Sequence, residues 1–100
     1  MKILGHKYEC VLRGERDISE NICGSTSADR QQISVAHRLK KSDQDAVLMH
    51  EIIEALNYRL ELELPHAKIT TLGEGLYQVL ADNGMKTDWR KVMRSNGKRK

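Results

Sequence analysis

The stretch Met49-His50-Glu51-Ile52-Ile53-Glu54-Ala55-Leu56 decides how this chain is read. A helix brings residues three and four positions apart onto one face, so His50, Glu51 and Glu54 would project together while Met49, Ile53 and Leu56 point into a core. The run is therefore expected to be helical, with a polar face of one imidazole and two carboxylates backed by an apolar face.

The punctuation on either side supports a helix of ordinary length. Ser42 followed three residues later by Asp45 resembles a capping box, and an acidic first turn suits the helix dipole. The spacing predicts a helix from about residue 43 to about residue 60 that buries Ala46, Met49, Ile53, Leu56 and Leu60. Glu61 to Leu64 reads as a turn, and Pro65 suits the first turn of a second helix, where its missing amide proton costs little. Ile69, Leu72, Leu76, Val79 and Leu80 form the apolar stripe of that helix, and Asn83-Gly84 ends it. Gly73 and Gly75 inside it cost about 1 kcal/mol each relative to Ala, which points to close approach of another backbone, the first helix being the expected neighbour. Thr87 would cap a last short helix carrying Trp89, Val92 and Met93 back onto the domain.

Before Ser42 the pattern changes to short strands. Lys2 to Leu4 and His6 to Arg13 flank Gly5 as a hairpin, with Tyr8, Cys10 and Leu12 alternating against Lys7, Glu9 and Val11. Gly14 to Asn21 is polar and reads as a connection. Ile22 to Ser27 and Gln31 to His37 are two further strands joined at Ala28-Asp29-Arg30. The expected fold class is thus α+β, a small N-terminal antiparallel sheet of short hairpins followed by two packed helices and a short C-terminal helix.

Composition limits the possibilities further. One hundred residues favour a single domain with one modest core, which must be mainly aliphatic because there is no Phe, one Trp and three Tyr. With 31% of residues charged and no long apolar run, nothing at the amino end reads as a signal peptide or membrane span, so a cytoplasmic protein without a membrane partner is expected. Cys10 and Cys23 are not in Cys-x-x-Cys spacing and read as reduced residues. The formal charge of +3 is unevenly placed: from Lys86 on, seven Lys or Arg face only Asp88, so the preceding residues carry a net −3. Residues 1–94 are assigned to the domain and 95–100 to a basic tail, which either contacts nucleic acid or is a solvated terminus without interleaved aromatics.

The chemistry lies on the helices. Zinc-binding His-Glu-x-x-His helices place two ligands one turn apart with a glutamate between them as general base. Here Glu54 stands at the second ligand position, and His66, at the start of the second helix, offers another imidazole. His50, Glu54 and His66 would be two histidines and a carboxylate, the composition of catalytic zinc sites that leave a fourth position for water. Glu51 would take a proton from that water and pass it to the leaving amine. Against this, His-Glu-x-x-Glu is a short motif, and polar residues on a helix face are often only solvated. His37, closing a strand, is either a further ligand or a strand-end residue meeting solvent.

The run Val47 to Leu56 together with Leu64-Pro65-His66 resembles the zincin metallopeptidases, and more closely the very small zincin-like (minigluzincin-type) proteins encoded by phages and prophages. The resemblance covers residues 1 to 83 and implies a sheet whose edge strand, taken as Gln31 to Val35, holds an extended peptide beside the metal by strand addition. The chain departs from the common pattern in that carboxylate and imidazole are exchanged between Glu54 and His66. Two functions follow as expectations: a minimal zinc-dependent peptidase or amide hydrolase, or a non-catalytic metal-binding or protein-interaction module of the same fold, acting on a host protein partner.

Overall fold

The computed structural model describes residues 1–14, 22–85 and 89–95. Its strands are β1 (Lys2–Ile3), β2 (His6–Lys7), β3 (Glu9–Arg13), β4 (Gly24–Ser27), β5 (Gln32–Ala36) and β6 (Met93–Ser95); its helices are α1 (Lys41–Leu60) and α2 (His66–Asp82). This is a small α+β fold with two sheets. β1 and β2 pair antiparallel, Ile3 opposite His6, around a turn in which Leu4 and Gly5 both have positive φ (52° and 83°), the conformation a two-residue hairpin requires. The main sheet has the order β4-β5-β3-β6.

That sheet is mixed, not the antiparallel set of hairpins expected. β4 and β5 do form the predicted hairpin, but β3 runs parallel to both β5 and β6, with Cys10 opposite Ile33 and Met93. The physical reason is burial on both faces. Cys10, Val11 and Leu12 are all buried, as are Ile33 through Ala36, and uninterrupted burial belongs to central strands of parallel pairs. Cys10, Leu12, Ile33 and Val35 meet Leu48 and Ala55 of α1 in the main core. On the opposite face Arg13 donates to Ser34 Oγ and Gln32 Oε1, both at 2.9 Å. Burial pushes the Cys10 thiol pKa up, whereas Cys23 is exposed.

Three other expectations change. The strand expected from His6 to Arg13 breaks at Tyr8 into β2 and β3, which belong to different sheets. The last helix is instead a single 3-10 turn at Trp89–Lys91 followed by β6, which adds to the sheet edge, so Trp89, Val92 and Met93 still pack against the core. Thr87, Lys86 and residues 96–100 of the basic tail lie outside the described residues. α1 begins at Lys41, with Lys40 as N-cap and no side-chain cap bond, so Ser42 does not cap it; the entry is pinned by Gln44 Nε2, which donates to the carbonyls of His37 and Leu39 at 3.1 Å.

The connection between the helices is tightly specified. Glu61 adopts φ 52°, and its amide and that of Leu62 reach back to the Asn57 carbonyl, closing α1. The Asn57 side chain then brackets Leu64, accepting from its amide at 2.9 Å and donating to its carbonyl at 3.4 Å. Pro65 is the N-cap of α2 and His66 its first residue. At the other end, Gly84 at φ 69° and the Met85 amide bonded to the Leu80 carbonyl form the expected stop.

Candidate metal centre

α1 lies against the sheet and α2 against α1, and their contact sets the site. A Cβ built on Gly73 would stand 3.4 Å from His50 Cα, so the helices meet at the backbone that carries His50. Gly75 does not share this role, having nothing within 4 Å. The predicted stripe is likewise only partly used: Ile69 packs on Met49 and Ile53, while Leu60, Leu72, Leu76 and Val79 are exposed.

One side of this contact brings His50, Glu54 and His66 together. Their nearest ligand atoms all lie within 4.8 Å of one another. Glu54 Oε2 is 3.3 Å from His50 Nε2, one helical turn away, and 3.1 Å from His66 Nδ1 across the helix pair. Tetrahedral ligands about 2.0–2.1 Å from a zinc ion stand roughly 3.4 Å apart, so both measured pairs are close to the edges of such a polyhedron. Two imidazoles and one carboxylate form a donor set that could hold a divalent ion. The exposure of the three side chains is graded, 19% for His50, 28% for Glu54 and 75% for His66, which leaves the group open to solvent on the His66 side. His37 and His6 are exposed and stand outside this group.

Glu51 points differently. It is 6% exposed and faces β4, where the Thr26 hydroxyl lies 2.5 Å from Glu51 Oε1 and 3.1 Å from the Glu51 backbone carbonyl. Burial, the largest cause, raises the Glu51 carboxyl pKa; the Thr26 bond and the imidazoles of His50 and His66 oppose that shift. The strand approaches so closely that a Cβ at Gly24 would fall 2.5 Å from Val47 Cγ1 and 3.2 Å from Glu51 Oε2. Only glycine fits there without moving the strand. His50, Glu51 and His66 then share one cleft of about 470 Å³ with Cys23 and Gly24 on the strand side and Thr70 and Glu74 on α2.

β4, rather than Gln31 to Val35, is therefore the edge strand beside the site. β5 is interior, paired on both sides. Sequence reasoning missed Gly24 and Thr26, although Gly24-Ser25-Thr26-Ser27 carries a signal: a strand with no apolar side chain has only small polar groups to offer the helix it faces. It also missed Thr70 and Glu74, which follow His66 at four-residue intervals and so lie on its face of α2. Asn57 holds the backbone that leads into His66 through its two bonds to Leu64.

No protein-family model, curated protein or solved structure matches this chain. Among the described residues, no helix is long and apolar enough to cross a membrane.

Proposed function

We propose that the chain is a minimal zinc-dependent hydrolase of peptide or other amide bonds, built in the manner of the zincin-like proteins its helix motif resembles. The observation that carries this reading is the meeting of His50, Glu54 and His66 within 4.8 Å, with the Glu51 carboxyl buried in the cleft that His50 and His66 also line. Zinc bound by the three side chains would act as a Lewis acid on the substrate carbonyl and make water a stronger acid. Glu51 serves as the base: Thr26 holds its Oε1, and Oε2 receives the proton of the attacking water and returns it to the nitrogen as the carbon–nitrogen bond breaks. A carboxyl raised by burial is better matched to this exchange near neutral pH than an ordinary one. The substrate is a peptide or protein segment laid along β4, whose outer edge bears no strand among the described residues.

One observation favours the second reading, a non-catalytic metal-binding or interaction module. Glu51 already clasps β4 to α1 through Thr26, a structural task that needs no turnover. The Glu51→Gln variant separates the two. In a hydrolase it retains stoichiometric zinc and loses most cleavage of a peptide library, by about 10²-fold or more. Equal cleavage by variant and parent removes the base mechanism, and a parent that cleaves nothing leaves the binding module. His66→Ala should abolish zinc binding, measured by metal content of protein purified without a histidine tag. Full zinc occupancy in that variant would remove His66 from the ligand set.

A further inference from the structure

α2 is amphipathic in a way that its packing does not use. It touches the body through α1, and only Ile69 and Gly73 of its residues are fully buried. At about 100° per residue, His66, Thr70 and Glu74 fall on the cleft side, while Leu72, Gly75, Leu76 and Val79 fall on the opposite flank. Leu72, Leu76 and Val79 are 52%, 41% and 55% exposed, a contiguous aliphatic strip instead of scattered single residues. Gly75 borders this strip with open space above it.

Two charges complete the pattern. Lys68 and Asp82 lie on the same flank, each seven residues from Gly75, and both are exposed. Neither has an ion-pair partner among the described residues. A helix rises about 1.5 Å per residue, so the two charges stand about 10 Å to either side of the glycine. Turned about an axis through Gly75, a second α2 would set its Asp82 beside Lys68 and its Lys68 beside Asp82, with Val79 and Leu72 of each copy flanking the crossing and Leu76 at its rim. The missing side chain lets the axes approach to about 8 Å, the lower end of helix packing distances. The surface is thus self-complementary, as an isologous contact must be.

We propose that this flank is a contact between two copies of the chain, an antiparallel pair of α2 helices crossing at Gly75 on a two-fold axis. The cleft of each copy faces away from the contact and stays open. A single pair of helices buries less than about 1,200 Å², the size of weak, reversible interfaces, so a dissociation constant in the micromolar range is expected.

Sedimentation equilibrium of the full chain, from about 1 μM to about 1 mM, tests this. A monomer at every concentration overturns the proposal and assigns the strip to a different protein. Leu72→Glu, which is exposed and should retain the parent's circular dichroism and zinc content, should weaken association by about 100-fold. Association unchanged in this variant places the dimer contact elsewhere and overturns the proposal. Lys68→Asp and Asp82→Lys should each weaken association by about tenfold, and the double variant should recover the parent's affinity, because only the antiparallel two-fold arrangement exchanges these partners. A double variant weaker than either single one overturns that arrangement.

Discussion

α1 and α2 carry similar apolar spacing and lie side by side, yet seven residues of α1 are buried against two of α2. The difference comes from the number of neighbours. α1 has the sheet on one side and α2 on another, so Leu48 and Ala55 reach the strands while Met49 and Ile53 meet Ile69. α2 has α1 alone. A three-and-four repeat therefore identifies a helix and its apolar arc, but the arc becomes core only where a second layer covers it.

The sharpest way to break this comparison is to shorten one leucine on each helix. Leu48 is fully buried, and Leu48→Ala should cost about 2–5 kcal/mol from lost transfer energy and the cavity left behind. Leu72→Ala should cost no more than about 0.5 kcal/mol under dilute conditions, as surface substitutions do. Urea unfolding of both variants measures the two values. Equal losses would mean that α2 is covered in solution even at low concentration.

The glycines refine the contrast within one helix. A methyl group on Gly73 would already stand 3.4 Å from His50 Cα, leaving no room for a larger side chain, whereas Gly75 faces open space. Gly73→Leu should lower stability by about 1–3 kcal/mol through overpacking and weaken zinc binding without altering a ligand, since metal distances tolerate only about 0.2 Å. Gly75→Ala should raise stability by about 1 kcal/mol through helix propensity and leave zinc affinity unchanged. Thermal melting paired with zinc titration reads both effects. Parallel behaviour of the two variants would remove Gly73 as the point where α2 sets the ligand triangle.

What could be read in advance follows the same division between local and distant contacts. His50 and Glu54 are one turn apart on one helix, and Pro65 announces the helix that His66 opens, so the grouping of the three side chains needed only short-range geometry. Gly73 was legible as a close approach because glycine is costly inside a helix, but its equivalence with Gly75 was not resolved until α1 was in place. The sheet was harder. The turns at Leu4-Gly5 and Ala28 to Arg30 are local and legible, but the single strand expected from His6 to Arg13 divides into β2, paired with β1 in its own two-stranded sheet, and β3, which finds β5 and β6 through pairings that no turn dictates. The run Cys10-Val11-Leu12 carried a hint of a doubly covered strand, yet period-two alternation around it suggested a half-exposed one. Thr26 and Glu51 are 25 residues apart and meet only because β4 is the outer strand over α1.

Asn57 joins the two helices through its bonds to Leu64. Its side chain makes both bonds to Leu64 from within α1, so the position of His66 relative to Glu54 depends on one amide one turn beyond Glu54. Glu61 and Glu63 on the way both adopt positive φ (52° and 59°), a costly conformation for residues with a Cβ, and the bracket at Leu64 helps hold the chain in it. Asn57→Ala removes one donor and one acceptor where water can replace both, so a loss near 1 kcal/mol is expected. Zinc affinity should fall by about five- to tenfold, because the 75% exposed His66 side chain has few other restraints and must then be ordered by the metal itself. Asn57→Asp preserves the acceptor for the Leu64 amide and should recover most of the affinity. An Asn57→Ala protein that binds zinc as tightly as the parent, at reduced stability, would show that His66 is placed by α2 packing on α1 alone, and the glycine contact at His50 would then carry the whole task of closing the site.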